Sequence, residues 1–550
     1  MLRRLILVLA SAIFAHVLLG QTPAKSQENP DKTKKSPGNC SVSGRVLSAA
    51  EGAPLRSARV VLVGANQREH PMVYATTTDN DGHFEIKQIE AGRYGFFASD
   101  IGYLKQQYKS KGSGDDQGAM LSLTSGQTVD DVIFRLMRAG VITGKVTDDA
   151  GKAMIGVSVS VLQKPSEEEL EDAVPHRKKL ELTMASGGPT DDRGEYRIFN
   201  LKPGDYYVKA TDTAERWGKE GTMDSDNNWW VRQETGSLFA PLYYPGVLQL
   251  DQAQAITLAA GDEVQADFAM RRIKMVEVSG KVIGPDGAPA TDTYVSLEEA
   301  GVSDWGADLS SSVDSSGEFS IKGVPPGSYF VSAQTREKDK HYDTRQKIEV
   351  GESKIDSIKL TLGAGATIHG KIRTASGATP PSGRRNVFLQ AVNDDENGGF
   401  GWTEVNKDGT FEFNGIADGS YTLQTFVEQG WFVKSAHLGN EDVFDKGVQV
   451  EDGTTKGNLE IVVSNDGAQL DGAVTDRDKN QPLAGVQVKI RIDPETEYNG
   501  HRLWQEATDQ NGRYFIKDIP PGKYKVVAKL PSSGGGVPTI KSEPVAVTLD

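Results

Sequence analysis

Cysteine is almost absent from this sequence: 550 residues contain only Cys40. No disulfide can therefore form within the chain, and each folded part must rely on its own packed core. Basic residues are also in deficit, with 61 Lys and Arg against 76 Asp and Glu and a formal net charge of −15. Such a charge repels phosphate backbones and anionic membrane surfaces, so nucleic acid is not expected as a partner.

Aromatic and hydrophobic residues are scarce as well, at 7% and 37% of the chain. Sixty glycines and 24 prolines favour many short strands joined by tight turns over long helices. The chain is also longer than the roughly 250–300 residues that one hydrophobic core serves. Several all-β domains are therefore expected.

The one clear apolar run lies at the amino terminus, where Arg3 and Arg4 precede the apolar residues 5–20. A basic start followed by a short apolar segment predicts a secretory signal peptide over residues 1–21. An uncleaved membrane anchor is the alternative, although the run is short for a span. Residues 22–39 are polar and are predicted to form a linker. We therefore expect export to the periplasm, the cell surface or the extracellular space, with no membrane span in the mature chain.

Three short sequence signals recur five times after residue 40. The first is a glycine inside a strand-like segment such as SGRV, found at Gly44, Gly144, Gly280, Gly370 and Gly472. The second is Asp or Asn, two variable residues, Gly, one residue and then Phe or Tyr, with its glycine at Gly82, Gly194, Gly317, Gly409 and Gly512. The third is Gly-x-Tyr, which begins at Gly92, Gly204, Gly327, Gly419 and Gly522. The second and third glycines are ten residues apart in every copy, which indicates one repeated unit.

The second signal has the composition of a hairpin turn. Its Asp or Asn side chain can accept a hydrogen bond from a backbone N–H two residues on, and its glycine can adopt the left-handed conformation that closes the loop. The third signal is predicted to be a type II turn where Pro203, Pro326 and Pro521 precede the glycine, which requires a positive φ at that glycine.

Apolar residues alternate with polar ones around these turns, as in Tyr206, Val208 and Ala210. A period of two is typical of strands with one buried face. About seven short strands per copy, with turns every ~8–12 residues, predict five tandem Ig-like or prealbumin-like Greek-key β-sandwiches, arranged as beads on a string. A closed barrel is the alternative. The predicted domains are residues 40–138, 139–273 with long loop insertions, 274–362, 363–464 and 465–550.

Together, the Gly-x-Val segment, the PL-x-G-x-V-x-V segment, the Asp-x-x-Gly-x-Phe/Tyr turn and PPGxY resemble the carboxypeptidase regulatory-like domain. They are also similar to the Cna-B-type, transthyretin-like and starch-binding-like β-sandwiches. The resemblance covers nearly all of the chain after residue 40 and implies a bacterial, exported protein with a role in support or binding. The H-x-x-E and H-E-x-x-H motifs of zinc peptidases are absent from the sequence, so peptidase activity is not expected.

Other catalytic and metal sites are not predicted. Gly-x-Ser-x-Gly does not occur, and Cys40 has no histidine near it in the sequence. The Asp-rich turns resemble part of a calcium loop, but the first and twelfth ligand positions are not filled, and turn chemistry explains the acidic residues. We therefore predict a protein that is not an enzyme and has no cofactor and no bound metal.

Carbohydrate binding is the best-supported functional prediction. A long polar insertion in the second copy carries Trp229, Trp230, Tyr243 and Tyr244, and aromatic rings stack on the C–H faces of sugars. The alternative is that these rings cover the end of their own sandwich or pack against the next domain. Two functions remain open: a protein that binds a polysaccharide or an envelope protein in adhesion, and a structural spacer or accessory subunit with no ligand. The sequence does not predict an oligomeric state.

Overall fold

The computed structural model describes residues 38–547 except 66–71, 111–117, 165–181, 213–236, 301, 304–308, 336–342, 364, 378–385, 393–399, 426, 429, 452–456, 477, 497, 501, 531–538 and 542–544. The predicted signal peptide and most of the predicted linker lie outside the described residues. Within them the chain forms strands and one 3₁₀ turn (η1, Leu250–Gln252), with no α-helix. The predicted all-β fold class is confirmed.

The strands form five consecutive groups, called units below, and each unit has its own cluster of buried apolar side chains. The first unit contains β1 (Cys40–Ser48), β2 (Arg59–Gly64), β3 (Val73–Thr77), β4 (His83–Ile89), β5 (Gly92–Ser99), β6 (Gln106–Gln107), β7 (Leu121–Leu123) and β8 (Thr128–Leu136). The second contains β9 (Gly140–Thr147), β10 (Ser158–Gln163), β11 (Leu182–Pro189), β12 (Glu195–Leu201), β13 (Gly204–Thr211), β14 (Ser237–Phe239), β15 (Leu242–Tyr243), β16 (Ile256–Leu258), β17 (Glu263–Gln265), β18 (Phe268–Ala269) and β19 (Arg272–Lys274).

The third unit contains β20 (Val276–Ile283), β21 (Thr293–Glu299), β22 (Val302–Ser303), β23 (Leu309–Ser312), β24 (Glu318–Val324), β25 (Gly327–Thr335), β26 (Asp343–Val350) and β27 (Ile355–Thr361). The fourth contains β28 (Ala366–Thr374), β29 (Asn386–Ala391), β30 (Phe400–Glu404), β31 (Thr410–Ile416), β32 (Gly419–Thr425), β33 (Phe432–Leu438), β34 (Glu441–Asp442), β35 (Val448–Val450) and β36 (Leu459–Ser464). The fifth contains β37 (Ala468–Ala473), β38 (Gln487–Ile492), β39 (Leu503–Ala507), β40 (Arg513–Ile519), β41 (Gly522–Lys529), β42 (Thr539–Lys541) and β43 (Val545–Val547). The exact domain boundaries remain a prediction.

Each unit is built from two sheets around its core. In the first sheet of the first unit, β1 pairs antiparallel with β4 and parallel with the closing strand β8. The next three units repeat this pattern, with β9 between β12 and β17, β20 between β24 and β27, and β28 between β31 and β36. The second sheet is built around a central antiparallel pair, such as β2 with β5. In the fifth unit β37 pairs with β40, and β43 joins the second sheet beside β41.

In the first three units the first recurring glycine lies where two backbones approach closely, and in the fourth and fifth it lies against the ring of Phe411 or Tyr514. A Cβ at Gly44 would lie 2.0 Å from the carbonyl oxygen of Val132 in the parallel closing strand, and one at Gly144 would lie 2.1 Å from that of Ala266. Any side chain at these positions would separate the first strand from the closing strand. The glycine is therefore required by the packing of the sheet.

The second signal forms a tight turn, but not the predicted hairpin, because the strands before and after it belong to different sheets, as β3 and β4 do in the first unit. Its five glycines have φ between 70° and 88°. The Asp79 carboxylate accepts hydrogen bonds from the backbone N–H groups of Asp81 at 2.9 Å and His83 at 2.8 Å, and Asp191, Asp314 and Asp509 do the same in their units. In the fourth unit the acceptor is Asp408 and not Asn406, the first residue of the signal. The Asp408 carboxylate accepts a hydrogen bond from the backbone N–H of Thr410 at 3.0 Å.

The third signal is not the predicted type II turn. Each of its glycines is the first residue of a strand, and Gly204 and Gly419 have φ of 158° and 153° instead of the value near +80° that such a turn needs. In the first, third and fifth units the glycine instead leaves room for the tyrosine two residues on, whose ring lies 3.2 to 3.4 Å from where a Cβ would stand. The tyrosine hydroxyl donates to the carbonyl four residues upstream, for example from Tyr94 to Glu90 at 2.7 Å and from Tyr206 to Lys202 at 2.8 Å. Burial raises the pKa of the Tyr524 hydroxyl, which makes the same bond in the fifth unit, to about 12.

Candidate binding cleft between the second and third units

A cleft of about 940 Å³ lies between the second and third units. Its walls come from β11, β13 and the segment 241–251 of the second unit, and from β25, β26 and the end of β21 of the third. The short strand β22 of the third unit pairs in parallel with β11 of the second, Leu182 opposite Val302 and Thr183 opposite Ser303. The sheet of one unit thus takes in a strand of the next, which brings the two walls together.

A buried ion pair joins the two walls at the base of the cleft. The Lys209 ammonium of β13 lies 2.8 Å from a carboxylate oxygen of Glu299, at the end of β21. The other oxygen of Glu299 accepts a hydrogen bond from the Tyr243 hydroxyl at 2.9 Å. The Lys209 side chain is 4% exposed and that of Glu299 is 24% exposed. Because a buried charge requires a partner, this pair fixes the second unit against the third.

Two half-buried aromatic rings, Tyr207 and Phe330, also line the cleft, one from each unit. The Arg345 guanidinium lies 4.0 Å from the centre of the Phe330 ring and 3.3 Å from the Glu298 carboxylate. In all, four cations and three carboxylates are among the lining residues, namely Lys164, Lys209, Arg345, Lys347, Asp251, Glu299 and Glu349. The cleft therefore combines aromatic surface with hydrogen-bonding groups of both charges, on a chain that is strongly acidic as a whole.

The residues predicted from the sequence have different environments. Tyr243 lines the cleft, but its ring is 1% exposed and its hydroxyl is bonded to Glu299. Tyr244 is partly buried and packs edge-on against Phe268, 6.2 Å between ring centres, at the core of its own unit. Both tyrosines thus make packing contacts, and their role in carbohydrate binding remains a prediction. Trp229 and Trp230 lie outside the described residues.

Tyr207 and Phe330 were not predicted from the sequence as residues of a binding site, although the repeat contains a signal for them. Both follow the tyrosine of Gly-x-Tyr directly, at a position that alternation assigns to the outside of the sandwich. The equivalent residues in the other three units are Gly95, Thr422 and Lys525. An aromatic residue therefore occupies this outer position only in the two units that face each other across the cleft.

The described part of the chain contains neither a cluster of metal-ligating side chains nor a helix that could span a membrane. No group of three His, Cys, Asp or Glu side chains there is placed to hold a metal ion. No helix there has the length and apolar character needed to cross a membrane. Cys40 is buried, and its thiol donates to the carbonyl oxygen of Thr124 at 3.1 Å.

Two segments of the chain match known domain families. Residues 41–134 match the carboxypeptidase regulatory-like domain, as the sequence motifs predicted. Residues 466–533 match a second domain family, described as the second β-sandwich domain of BOS complex subunit NOMO1-like proteins. With the fold described above, the chain is a tandem β-sandwich protein whose first unit resembles the carboxypeptidase regulatory-like domain.

This chain spans only a small part of the length of the relatives that it matches in sequence. Serine-aspartate repeat-containing protein F of Staphylococcus epidermidis is 27% identical over 165 residues, which cover 27% of this chain and 10% of that protein. Colossin-A of Dictyostelium discoideum is 22% identical over 493 residues, 82% of this chain and 4% of its own length. Among solved structures, the minor pilin GBS52 of Streptococcus agalactiae is 13% identical with a TM-score of 0.22, and covers 42% of this chain and 96% of its own.

Proposed function

We propose that this protein is an exported, non-catalytic binding protein that holds a carbohydrate or another surface polymer in the cleft between its second and third units. The observation that carries the proposal is that Tyr207 and Phe330, one from each unit, both line the cleft, while the other units lack an aromatic residue at the equivalent position. Sugars offer C–H faces for stacking on such rings and hydroxyls for the charged groups around them. A cleft of about 940 Å³ lies within the range of small-molecule sites and has room for a short saccharide.

The insertion that carries Trp229 and Trp230 supports the same proposal through its attachment points. It follows β13, four residues after Lys209 of the cleft, and returns to the chain just before β14, close to the lining residue Pro241. We propose that these tryptophans take part in binding the same polymer. Adhesion to a surface polymer would then use the second and third units together.

A polysaccharide pull-down or glycan array with the full chain tests this function. The variant Tyr207→Ala/Phe330→Ala is expected to bind about 30-fold more weakly or not at all, since each of the two lost stacking contacts costs about 1 kcal/mol. Phe199→Ala is the matched control: Phe199 is 55% exposed on β12, in the other sheet of the second unit, and its loss is expected to leave binding unchanged. Unfolding temperatures establish that the variants remain folded.

The tryptophans are tested separately with Trp229→Ala/Trp230→Ala. Loss of binding in this variant alone would assign the binding site to the insertion and not to the cleft. Equal binding by all proteins would exclude both aromatic sets. No binding by any of them would favour the alternative function, a structural spacer or accessory subunit of an envelope complex.

A further inference from the structure

The first and fifth units, which are farthest apart in the sequence, contact each other. The side-chain amide of Gln510 makes two hydrogen bonds to the backbone of Ser122: its oxygen accepts from the N–H at 2.9 Å and its nitrogen donates to the carbonyl at 2.6 Å. Such a bond pair imitates a strand ladder, and a parallel bridge between Met120 and Asp509 lies beside it. The turn of the fifth unit therefore extends the edge of the first unit's sheet at β7.

An ion pair accompanies these hydrogen bonds. The Arg93 guanidinium of β5 lies 2.7 Å from a carboxylate oxygen of Glu506 in β39, and the two side chains are 22% and 19% exposed. Glu506 also accepts from the Phe515 N–H at 3.0 Å, which holds the carboxylate in place. Ala484 of the fifth unit packs against the core of the first. Backbone, charge and apolar contacts thus meet in one small surface.

The residues that make this contact are peculiar to their units. Gln510 is the first variable residue of the Asp-x-x-Gly turn, where the other units have Asn80, Asp192, Ser315 and Lys407. Three residues before the turn Asp or Asn, the fifth unit has Glu506, and the others have Thr76, Gly188, Ser311 and Thr403. Arg93 is the middle residue of Gly-x-Tyr, where the others have Asp205, Ser328, Ser420 and Lys523. Folding of a unit does not require these residues, because the other four units fold without them.

We propose that the first and fifth units form an intramolecular clasp that holds the chain as a closed loop. Two amide hydrogen bonds and one ion pair are few for a stable contact between separate molecules. Units of one chain, however, meet at an effective concentration set by the tether, in the millimolar range for flexible connections. The small surface is therefore suited to a partner within the same chain. The clasp is independent of the proposed ligand, since it uses neither wall of the cleft.

Cross-linking of engineered cysteines in the full chain tests the clasp. Ser122→Cys and Asn511→Cys together, treated with a short bismaleimide, are expected to give a product of monomer mass whose yield does not depend on protein concentration. Asn511 is the exposed neighbour of Gln510, so this pair leaves both amide hydrogen bonds in place. The buried Cys40 should not react, which the unmodified chain verifies. The matched control pairs Ser122→Cys with Arg193→Cys, at the equivalent turn position of the second unit, and should give no such product. A product of twice the monomer mass, or none, would overturn the intramolecular clasp.

Charge reversal provides a second measurement that needs no cysteine. Glu506→Arg places two cations together, and we expect the maximum dimension measured by small-angle X-ray scattering to increase and the cross-linking rate of the cysteine pair to fall about tenfold. The double variant Arg93→Glu/Glu506→Arg restores an ion pair of opposite polarity and should recover both values. An unchanged dimension in Glu506→Arg, or no recovery in the double variant, contradicts the proposal. Thermal unfolding of each variant separates an opened clasp from an unfolded unit.

Discussion

Replacement of Glu299 by Gln should loosen the joint between the second and third units. The carboxylate of Glu299 receives both the Lys209 ammonium and the Tyr243 hydroxyl, one on each oxygen. A glutamine has one acceptor oxygen, so one of the two donors would face an N–H₂ group, and Lys209, at 4% exposure, would lose the attraction of the Glu299 charge. Loss of one partner of a fully buried pair costs about 3–5 kcal/mol, and the partial exposure of Glu299 reduces this to ~2 kcal/mol.

Hydrogen exchange of the full chain, followed by mass spectrometry, measures this loss where it occurs. A change of ~2 kcal/mol corresponds to about 30-fold faster exchange of the amides that open with the joint, at 1.4 kcal/mol per factor of ten. We expect this increase in β13 and β21 and no change in the fourth unit. A single unfolding temperature is a poorer measure, because a chain of five units does not unfold in one step.

Glu298→Gln is the matched control for this experiment. Glu298 is the neighbouring residue, 61% exposed, and its carboxylate lies 3.3 Å from Arg345. An exposed pair contributes about 0–1 kcal/mol, so exchange should change by less than about fivefold. If Glu299→Gln and Glu298→Gln have equal effects, the buried pair does not fix the joint and the reasoning is wrong.

Three further predictions concern single units. Gly144→Ala should destabilise the second unit by about 3 kcal/mol, since the new methyl would overlap the Ala266 carbonyl; chemical denaturation monitored by exchange measures it. Thr508→Val should cost about 2 kcal/mol in the fifth unit, because the buried hydroxyl accepts from the Val486 N–H at 2.9 Å and donates to the Leu483 carbonyl at 2.7 Å. Hydrogen bonds from the Ser316 hydroxyl and the Glu318 N–H lower the pKa of Asp314. The turn stability that Asp314 supplies is therefore present above its ordinary pKa, near 4, and is lost as the pH falls through the lower pKa of the folded state; amide exchange of the turn against pH measures this.

Each of these predictions has a control. Gly188→Ala adds a methyl where nothing lies within 4 Å and should have a small effect, so an equal loss would contradict the argument from close approach. Thr508→Ser keeps the hydroxyl and should retain most of the stability that valine removes. Asp314→Asn keeps an acceptor oxygen and removes the titration, so a persistent acid transition in this variant would assign it to another group.

Much of the internal structure of each unit could be predicted from the sequence, because local chemistry dictates it. The Asp-x-x-Gly turn needs only one side-chain oxygen and one left-handed glycine, and both are visible in the motif. Other features depend on contacts across the unit. Gly-x-Tyr has the composition of a turn. In three of the units, however, its glycine leaves room for the ring of the tyrosine two residues on, which the motif alone does not indicate. The residue six positions after the turn glycine is left-handed in every unit, but it is Gln88, Asn200, Gly323, Gly415 or Asp518, so no residue type marks it.

The candidate site was largely beyond prediction, since it lies between units. Alternation separates the inner from the outer side of a strand but does not show what packs against the outer side. The alternation therefore did not indicate that Tyr207 and Phe330 line a common cleft. Nor did it indicate that the hydroxyl of Tyr243, a predicted binding residue, is bonded to Glu299 of the next unit. The contact of Gln510 with Ser122 joins segments 388 residues apart, a separation that no local pattern encodes.

Differences between the copies are more informative about the assembled chain than their similarities. Residues shared by all five units, such as the turn glycine and the tyrosine twelve residues after it, are explained by the folding of one sandwich. Residues found in one or two units cannot be required for that folding, and several of them lie at contacts between units: Tyr207 and Phe330 at the cleft, Arg93, Glu506 and Gln510 at the clasp. Because the cleft needs a wall from each of two units, the proposed binding function belongs to a pair of units and not to the sandwich fold itself.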